Sequence, residues 1–330
     1  MLMTVIPSGR ILAVEPGETL LQTLLKNDEP ISYSCQDGRC GLCRCSISLL
    51  ERGSGELPVS LNDESAQSVL ACQTRTKTDC LVSIPSVEDL CIVEAQIIGA
   101  EVFAVRSLSS TVDEFVLRTK TPAQFRAGQH FDVTWHPTII RPLSAASMPG
   151  ENELRFHVQR HPFGRFSQFA ANNKLVGNTV TVKGPLGSVY LREHCTRPIL
   201  CISHNTGLGA MVTLLRSIAD AGLLNTVYIY AGFSLREDMY GIEELKDVIS
   251  GLRGVTKLRV VVASGLKERK RGYLTGLLTD AIHLELARLK ECRVYSFGSP
   301  HAIETVSWSL KQAGVLPDRL HSQSFLYSHY

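Results

Sequence analysis

The chain has 330 residues, of which 44% are hydrophobic, and it carries 34 basic and 32 acidic side chains. This length suits two or three domains, and the hydrophobic fraction is sufficient for packed cores. The net charge of +2 gives no electrostatic argument for binding nucleic acid or an anionic membrane. The sequence shows neither an apolar run of signal-peptide length at its start nor the roughly 20 apolar residues of a membrane span. We therefore expect a cytoplasmic protein without membrane attachment.

Residues 1–87 are predicted to form a first domain that is rich in short strands. Apolar residues alternate in "MTVIPSG", "RILAVE", "CSISLL" and "CLVSIP", as in half-buried strands. One stretch, "ETLLQTLLKND", has apolar residues at helical spacing and begins with Glu18 and Thr19, which suit a helix start. The pattern indicates a small α+β fold with one main helix, and "IPSVEDL" indicates a linker after it.

The stretch "YSCQDGRCGLCRC" places four cysteines within eleven positions. Disulfides are the weaker interpretation for a cytoplasmic chain, and zinc sites usually show two short cysteine pairs or cysteines with histidines. A C-x4-C-x2-C run with a distant fourth cysteine is the plant-type [2Fe-2S] spacing. Gly38 and Gly41 would let backbone amides approach the inorganic sulfides. The predicted iron ligands are Cys35, Cys40, Cys43 and Cys72.

Three other cysteines lie near this run, at Cys45, Cys80 and Cys91. Cys45 alternates with Cys43 at strand period and would point to the opposite face. We interpret all three as small buried hydrophobic residues rather than metal ligands.

The motif "YSCQDGRCGLCRC…LACQ" resembles the N-terminal ferredoxin module of flavin reductases that serve aromatic-ring-hydroxylating dioxygenases. The chain is most similar to the ferredoxin reductase components of naphthalene-dioxygenase-type systems. The resemblance covers essentially the whole chain. It implies three domains in the order β-grasp-like plant-type ferredoxin, FAD domain and nicotinamide domain.

Residues 92–193 show strand after strand, separated by turn residues, as in "EAQIIGAEVFAV", "EFVLRTK", "HFDVTW", "ELRFHVQR" and "NTVTVKG". This pattern predicts a closed antiparallel β-barrel, interrupted by the short helix "RFSQFAANN". By resemblance this is the FAD domain.

Two motifs in this segment resemble flavin-binding motifs of the family. In "RPLS", Arg141 would hold the flavin diphosphate, Pro142 would fix the backbone, and Leu143 stands where the family usually has tyrosine. Ser144 would reach the reactive nitrogen of the flavin. The second motif, Gly164, Arg165, Phe166 and Ser167, would open a helix whose amides bind the pyrophosphate. Ser167 is alternatively a helix cap or first-turn residue, and the two interpretations are compatible.

The strand between these motifs contains His157 and Val158, whose backbone would run along the flavin. The ferredoxin-first order and the pyrophosphate motif favour FAD over FMN.

Residues 197–330 alternate apolar strands such as "PILCIS" and "TVYIYAG" with helical patterns such as "GAMVTLLRSIADAG". Alternating strands and helices predict a doubly wound parallel sheet, in which ligands bind at the carboxyl ends of the strands.

The turn after the first of these strands, "HNTGLGAMV", resembles the family's glycine-rich nucleotide turn. Its candidate residues are Thr206, Gly207, Leu208 and Gly209, whereas His204 and Asn205 replace family glycines. A plain strand-to-helix turn is the alternative interpretation. In "YSFGSP", Phe297 replaces a family cysteine beside the nicotinamide, and Gly298 and Ser299 follow it. Phe325 is a candidate to cover the flavin ring, with core packing as its alternative.

The segment "AGFSLREDMYG" should discriminate between nucleotides. Ser234 and Arg236 would bind the 2′-phosphate of NADPH. Glu237 or Asp238 would instead accept a hydrogen bond from the ribose hydroxyls of NADH and repel a 2′-phosphate. The pattern Asp238-x-Tyr240 resembles family members that use NADH, so NADH is predicted, with NADPH as the alternative.

The resemblance implies an oxidoreductase that passes electrons from the nucleotide through FAD and the cluster to a Rieske-type ferredoxin or a terminal oxygenase. Ser144, Phe297 and Phe325 would lie nearest the hydride transfer, and a monomer is expected. Two alternatives stay open. One is a reductase for a diiron monooxygenase or deoxysugar dehydratase, and the other is a non-enzymatic redox carrier or sensor.

Overall fold

The computed structural model describes residues 1–34, 36–38, 41–49, 66–85, 93–264 and 273–325. The contacts of the chain divide it into two compact units, Met1–Ile92 and Val93–Tyr330. The predicted division of the second unit near residues 193–197 stays a prediction. Within the described ranges, no helix is long and apolar enough to span a membrane.

The described part of the first unit is a mixed sheet with one helix. Its strands follow the order β2-β1-β5-β3-β4, with β1 and β5 parallel and the other pairs antiparallel. This arrangement confirms the predicted β-grasp-like α+β domain. The elements are β1 (Leu2–Ile6), β2 (Ile11–Ala13), α1 (Leu20–Lys26), β3 (Arg44–Leu49), β4 (Gln67–Leu70) and β5 (Cys80–Ser83).

Helix α1 begins where the sequence predicts, because Thr19 and Gln22 form a capping box. The backbone N–H of Gln22 donates to Thr19 Oγ1 at 3.2 Å, and the backbone N–H of Thr19 donates to Gln22 Oε1 at 2.9 Å. Two amides that the helix itself leaves unpaired are thereby satisfied. The buried face of α1, with Leu20, Leu21 and Leu24, packs into the core of this unit.

The second unit begins with an antiparallel barrel of strand order β10-β7-β6-β11-β8-β9. Its two outer strands meet where the N–H of Ala146 donates to Arg155 O at 2.7 Å, in agreement with the predicted barrel. The elements are β6 (Gln96–Ser107), β7 (Val112–Thr119), β8 (His130–His136), β9 (Ile139–Ser144), β10 (Glu153–Gln159), α2 (Arg165–Asn172) and β11 (Thr179–Leu186).

Aromatic side chains fill the barrel and anchor helix α2. The ring of Phe166, in the first turn of α2, lies 4.9 Å from Trp135 and 5.5 Å from Phe115 between ring centroids. Such buried rings contribute a large apolar area and prefer these tilted arrangements. The helix start is therefore fixed against the barrel.

The rest of the second unit is a parallel sheet of order β15-β14-β13-β12-β16-β17. Helices alternate with its strands, which confirms the predicted doubly wound sheet. The elements are β12 (Ile199–His204), α3 (Gly207–Asp220), β13 (Val227–Leu235), α4 (Ile242–Ser250), β14 (Thr256–Ser264), β15 (Tyr273–Thr275), α5 (Leu278–His283), α6 (Leu286–Leu289), β16 (Arg293–Gly298), α7 (Pro300–Gln312) and β17 (Leu320–Ser324).

The strand order reverses between β12 and β16. From β12 the chain proceeds outward through β13, β14 and β15, and it then returns to β16 on the other side of β12. In open α/β sheets the ligand crevice lies outside the carboxyl ends of the strands at such a switch point. His204 ends β12 and Gly298 ends β16.

Candidate functional site

A cavity of about 590 Å³ opens between the barrel and the carboxyl ends of the parallel strands. It brings together both predicted flavin motifs, the strand between them and two turns of the parallel sheet. The lining residues are Arg141, Pro142, Leu143, Ser144, His157, Val158, Gln159, His161, Pro162, Phe163, Gly164, Arg165, Phe166, Ser167, Asn205, Thr206, Ser299 and Phe325.

Two arginines converge on one side of this cavity. Burial and the nearby charge of Arg165 lower the pKa of the Arg141 guanidinium. Two cations that repel each other in a cavity suit an anion with several oxygens, because a guanidinium donates a fork of hydrogen bonds to such a group. The pair therefore fits a diphosphate.

Ser144 ends β9, in register with His130 of the neighbouring strand β8. Its hydroxyl oxygen is buried and has no hydrogen-bond partner among the described residues. A buried hydroxyl without a partner is costly unless a ligand supplies one. Ser144 therefore fits the edge of a bound group that can hydrogen-bond.

The second motif forms the start of α2. Gly164 is the N-cap, and no side chain caps the helix. The hydroxyl of Ser167 accepts from the N–H of His161 at 2.9 Å and thereby closes the preceding loop. A Cβ atom on Gly164 would lie 3.3 Å from Ser167 Oγ, so the close approach of loop and helix favours glycine. Ser167 therefore has a local structural role as a first-turn residue of α2, and it is not the helix cap.

His157 faces the parallel sheet as well as the cavity. Its Nδ1 lies 2.9 Å from the hydroxyl of Tyr240, and its Nε2 lies 3.7 Å from Glu114 Oε1. The neighbouring His157 side chain is the main cause that lowers the pKa of Glu114. From the sequence only the backbone of this strand was expected to contribute, and the side-chain contact of His157 was not predicted.

The glycines of the turn after β12 serve packing. A Cβ on Gly207 would collide with the carbonyl of Phe297, and one on Gly209 would lie 2.9 Å from Ala146 Cβ. Gly207, Leu208 and Gly209 are all buried, and only Thr206 of this predicted set lines the cavity. The expected open approach to the helix amides is therefore not seen at these three residues.

Phe297 is fully buried, and its ring lies against the barrel rather than in the cavity. Its Cζ would be 3.3 Å from a Cβ on Gly128. The contact with a nicotinamide that the sequence suggested for Phe297 has no support in this geometry, because β16 turns this side chain toward the barrel. Phe325 does line the cavity, and its N–H donates to Gly298 O at 2.7 Å.

His204 and Asn205 join the strand ends through side-chain hydrogen bonds. His204 Nδ1 lies 2.8 Å from Ser299 Oγ. Asn205 Oδ1 accepts from the N–H of Ser234 at 3.0 Å, and its Nδ2 donates to Gln159 Oε1 at 3.3 Å. Asn205 adopts a φ of 50°, a left-handed conformation that asparagine tolerates. In the sequence, the only sign of these contacts was that His204 and Asn205 stand where the family has glycines.

The end of β13 presents a different surface from the one expected. Arg236 and Glu237 are exposed, Ser234 is half-buried, and Asp238 is 2% exposed. The two carboxylate oxygens of Asp238 accept from Thr111 Oγ1 and from the N–H of Leu235. Both carboxylate oxygens of Asp238 are therefore already hydrogen-bonded within the protein.

Two of the four predicted iron ligands, Cys43 and Cys72, are described, and both are buried. The N–H of Ala71 donates to Cys43 O at 2.9 Å, which places the two cysteine segments side by side. Gln73 Nε2 lies 3.5 Å from Cys72 Sγ. Cys35 and Cys40 lie outside the described residues.

The two glycines near Cys43 have left-handed backbone conformations. Gly38 and Gly41 have φ values of 77° and 74°, where side chains are strained. A Cβ on Gly38 would also lie 2.9 Å from Gln73 Cγ. This close loop beside two buried thiols fits a sulfide-containing cluster.

The other cysteines of this unit behave as core residues. Cys45 and Cys80 are buried in the hydrophobic cluster, and burial raises their pKa values to about 12 and about 11. A thiol that stays protonated is a poor metal ligand. Cys91 lies outside the described residues.

Comparison with known proteins agrees with both the predicted cluster site and the predicted flavin site. Residues 3–77 match the 2Fe-2S iron-sulfur cluster binding domain, and residues 100–190 match the oxidoreductase FAD-binding domain. The ferredoxin reductase in carbazole 1,9a-dioxygenase has the same fold, with a TM-score of 0.69 and 23% identity over 98% of both chains. An Amycolatopsis cytochrome P450 reductase gives a TM-score of 0.72 at 24% identity, also over 98% of both chains.

Two relatives share more of the sequence. The ferredoxin–NAD(P)+ reductase component of the naphthalene 1,2-dioxygenase system of Pseudomonas putida is 31% identical over 322 residues, which cover 97% of each protein. The corresponding component of the naphthalene 1,2-dioxygenase/salicylate 5-hydroxylase systems of Ralstonia sp. is 32% identical over 324 residues, or 98% of each. At this identity over the full length, the chain belongs to the family of ferredoxin–NAD(P)+ reductase components of aromatic-ring dioxygenase systems.

Proposed function

We propose that this chain is the NAD(P)H-dependent reductase of an aromatic-ring dioxygenase system. It takes electrons from NADH through FAD to a [2Fe-2S] cluster, and it delivers them to a Rieske-type ferredoxin or to the terminal oxygenase. The observation that carries the proposal is the single cavity that joins both flavin motifs to the switch point of the parallel sheet. The family relationship supplies the class of acceptor.

The cluster ligands in this proposal are Cys35, Cys40, Cys43 and Cys72. The burial of Cys43 and Cys72, together with the left-handed Gly38, supports the assignment. Cys45 and Cys80 lie within strands β3 and β5, so both belong to the sheet rather than to the cysteine loop.

Arg141 and Arg165 would hold the flavin diphosphate, with the start of α2 as a further donor. Ser144 would place its hydroxyl at the reactive edge of the ring, because that oxygen is buried in the cavity wall without a partner among the described residues. Phe325 would cover the ring, and the backbone of His157 and Val158 would run beside it.

A bound flavin supplies the conversion of a two-electron hydride into single electrons, which the cluster carries onward. The side chains contribute position and exclusion of water. His157 is held between Glu114 and Tyr240, which keeps strand β10 fixed against the parallel sheet. The distance between a nucleotide at the strand ends and the barrel side of the cavity is thereby set by the protein.

The test is anaerobic titration of the purified full-length protein with NADH, followed by visible absorbance. Loss of both flavin and cluster absorbance on addition of NADH is expected. A protein that binds both cofactors but is reduced by neither NADH nor NADPH would instead be a redox carrier or sensor. Electron delivery to a purified Rieske-type ferredoxin then tests the acceptor. We also propose a cytoplasmic monomer, which light scattering of the eluted protein checks for oligomeric state.

A further inference from the structure

The switch point of the parallel sheet is closed by a direct contact between two side chains. His204 ends β12 and Ser299 follows β16, and His204 Nδ1 lies 2.8 Å from Ser299 Oγ. The two turns pack closely, since a Cβ on Gly298 would lie 2.8 Å from His204 Cβ. Ser299 lines the cavity described above, and its partner His204 is half-buried beside it at the end of β12, where such sheets receive their ligand.

The second ring nitrogen of His204 has a weaker partner. Nε2 lies 3.4 Å from Ser234 Oγ, at the outer limit of a hydrogen bond. That hydroxyl oxygen already accepts from Asn205 Nδ2 at 3.2 Å. His204 is half-buried, and burial lowers its pKa to about 4, so the ring is neutral near pH 7. A polar ligand atom can replace Ser234 as the partner of Nε2 without leaving Ser234 unbonded.

The position of His204 and Ser299 indicates that they lie near the nicotinamide half of a bound nucleotide rather than near its adenosine half. Ser299 and Asn205 line the same cavity as Ser144 and Phe325. Hydride transfer requires the nicotinamide to lie against the flavin in that cavity. The adenosine half must then extend away from the cavity, and the exposed Arg236 lies at the end of the next strand, β13.

We propose that His204, oriented by Ser299, binds the nicotinamide half of the nucleotide by a hydrogen bond from or to Nε2, with the nicotinamide carboxamide as its partner. The inference rests on the proposed function, since it needs a nicotinamide in this cavity. It assigns a specificity role to a side chain that stands where the family has glycine. A glycine at this position would leave Ser299 Oγ without its imidazole partner.

The experiment compares two ligands on the flavin-loaded, full-length protein. Dissociation constants for NAD+ and for ADP-ribose, which lacks nicotinamide, are measured by titration calorimetry on the wild type, His204→Gly, His204→Gln and Ser299→Ala. We expect His204→Gly to raise the dissociation constant of NAD+ about three- to tenfold, the range of one hydrogen bond. The dissociation constant of ADP-ribose should stay within about twofold of the wild type. His204→Gln, which keeps a polar side chain, should stay within about threefold of the wild type for NAD+.

The exposed His283 on α5 provides the matched control, because His283→Gln changes a histidine outside the cavity and should alter neither constant. If His204→Gly does not fold, Ser299→Ala must still weaken NAD+ selectively. Equal weakening of both ligands, or no change in either, would overturn the assignment. A wild type that neither binds NAD+ nor accepts electrons from NADH would refute the proposed function as well. If NADH reduces the flavin normally and the variants weaken NAD+ and ADP-ribose equally, only the His204 contact is refuted.

Discussion

Thr111, in the turn between β6 and β7 of the barrel, donates from Oγ1 to Oδ1 of Asp238 at 2.8 Å. The other carboxylate oxygen of Asp238 accepts from the N–H of Leu235 at 3.1 Å. Ser110 adds a longer contact, from its hydroxyl to Glu237 O at 3.4 Å. Asp238 therefore ties the end of β13 to the barrel and has no oxygen left unpaired for a ribose.

Asp238→Ala should destabilise the protein without changing its choice of nucleotide. The hydroxyl of Thr111 and the N–H of Leu235 would lose their acceptor, which costs about 1–3 kcal/mol. The ratio of kcat/KM for NADH to that for NADPH should stay within about twofold of the wild type. A shift of tenfold or more toward NADPH would show that the carboxylate does repel a 2′-phosphate.

Arg236 is the exposed cation at the same strand end, and Arg236→Ala tests whether it receives a 2′-phosphate. We expect kcat/KM for NADPH to fall about tenfold, since a charge-assisted contact is lost, and kcat/KM for NADH to stay unchanged. Lys311→Ala, at an exposed site on α7, is the matched control. Our preference for NADH would be wrong if the wild type strongly favoured NADPH and the variant lost that preference.

The domain folds followed from sequence because local patterns and global packing agree. Alternating apolar residues, Thr19 at the helix start, and the strand–helix alternation after residue 197 each predict an element that forms. The cysteine spacing and the glycines likewise predicted a close loop, and Gly38 has the left-handed conformation that this loop requires.

The directions of side chains at the ends of strands did not follow from sequence. Asp238 points toward Thr111, which is 127 residues away along the chain, and Phe297 packs beside Gly128. Both orientations depend on how the barrel meets the parallel sheet. No local pattern contains that information. The sequence therefore did not show that both carboxylate oxygens of Asp238 accept hydrogen bonds from the protein.

Ser144→Ala should slow flavin reduction by NADH about tenfold while FAD stays bound. The hydroxyl makes no hydrogen bond within the described residues, so its removal leaves no protein group without its partner. Stopped-flow absorbance measures the rate, and thermal unfolding of the flavin-free protein should be unchanged. Ser203→Ala is the matched control, because Ser203 is also buried without a partner in the described ranges but does not line the cavity. Equal rates in the wild type and Ser144→Ala would remove the assigned role.

His130 should make the second unit sensitive to acid. Burial lowers the pKa of His130 from 6.5 to about 4, so the unfolded chain binds a proton below pH 6.5 that the folded protein excludes. Stability is therefore present above pH 6.5 and is lost as the pH falls toward 4. Between pH 7 and 5 this group alone accounts for about 2 kcal/mol.

Urea unfolding at both pH values, followed by tryptophan fluorescence, measures this loss, since Trp135 and Trp308 both lie in the second unit. His130→Leu should lose about 2 kcal/mol less than the wild type between pH 7 and 5. The surface variant His283→Gln should keep the full loss. An unchanged difference in His130→Leu would mean that His130 is not the buried neutral group described.

The most direct test of the electron path uses Cys72→Ser with two acceptors. Ferricyanide can take electrons at the flavin, whereas reduction of cytochrome c is expected to depend on the cluster. With NADH as donor, we predict that Cys72→Ser binds FAD, lacks the ferredoxin-like visible spectrum, keeps ferricyanide reduction and loses cytochrome c reduction. Cys45→Ser and Cys80→Ser should keep the spectrum and both activities. Full cytochrome c reduction by Cys72→Ser, or equal loss of the spectrum in Cys45→Ser or Cys80→Ser, would contradict the path from nucleotide through flavin to a cluster held by Cys35, Cys40, Cys43 and Cys72.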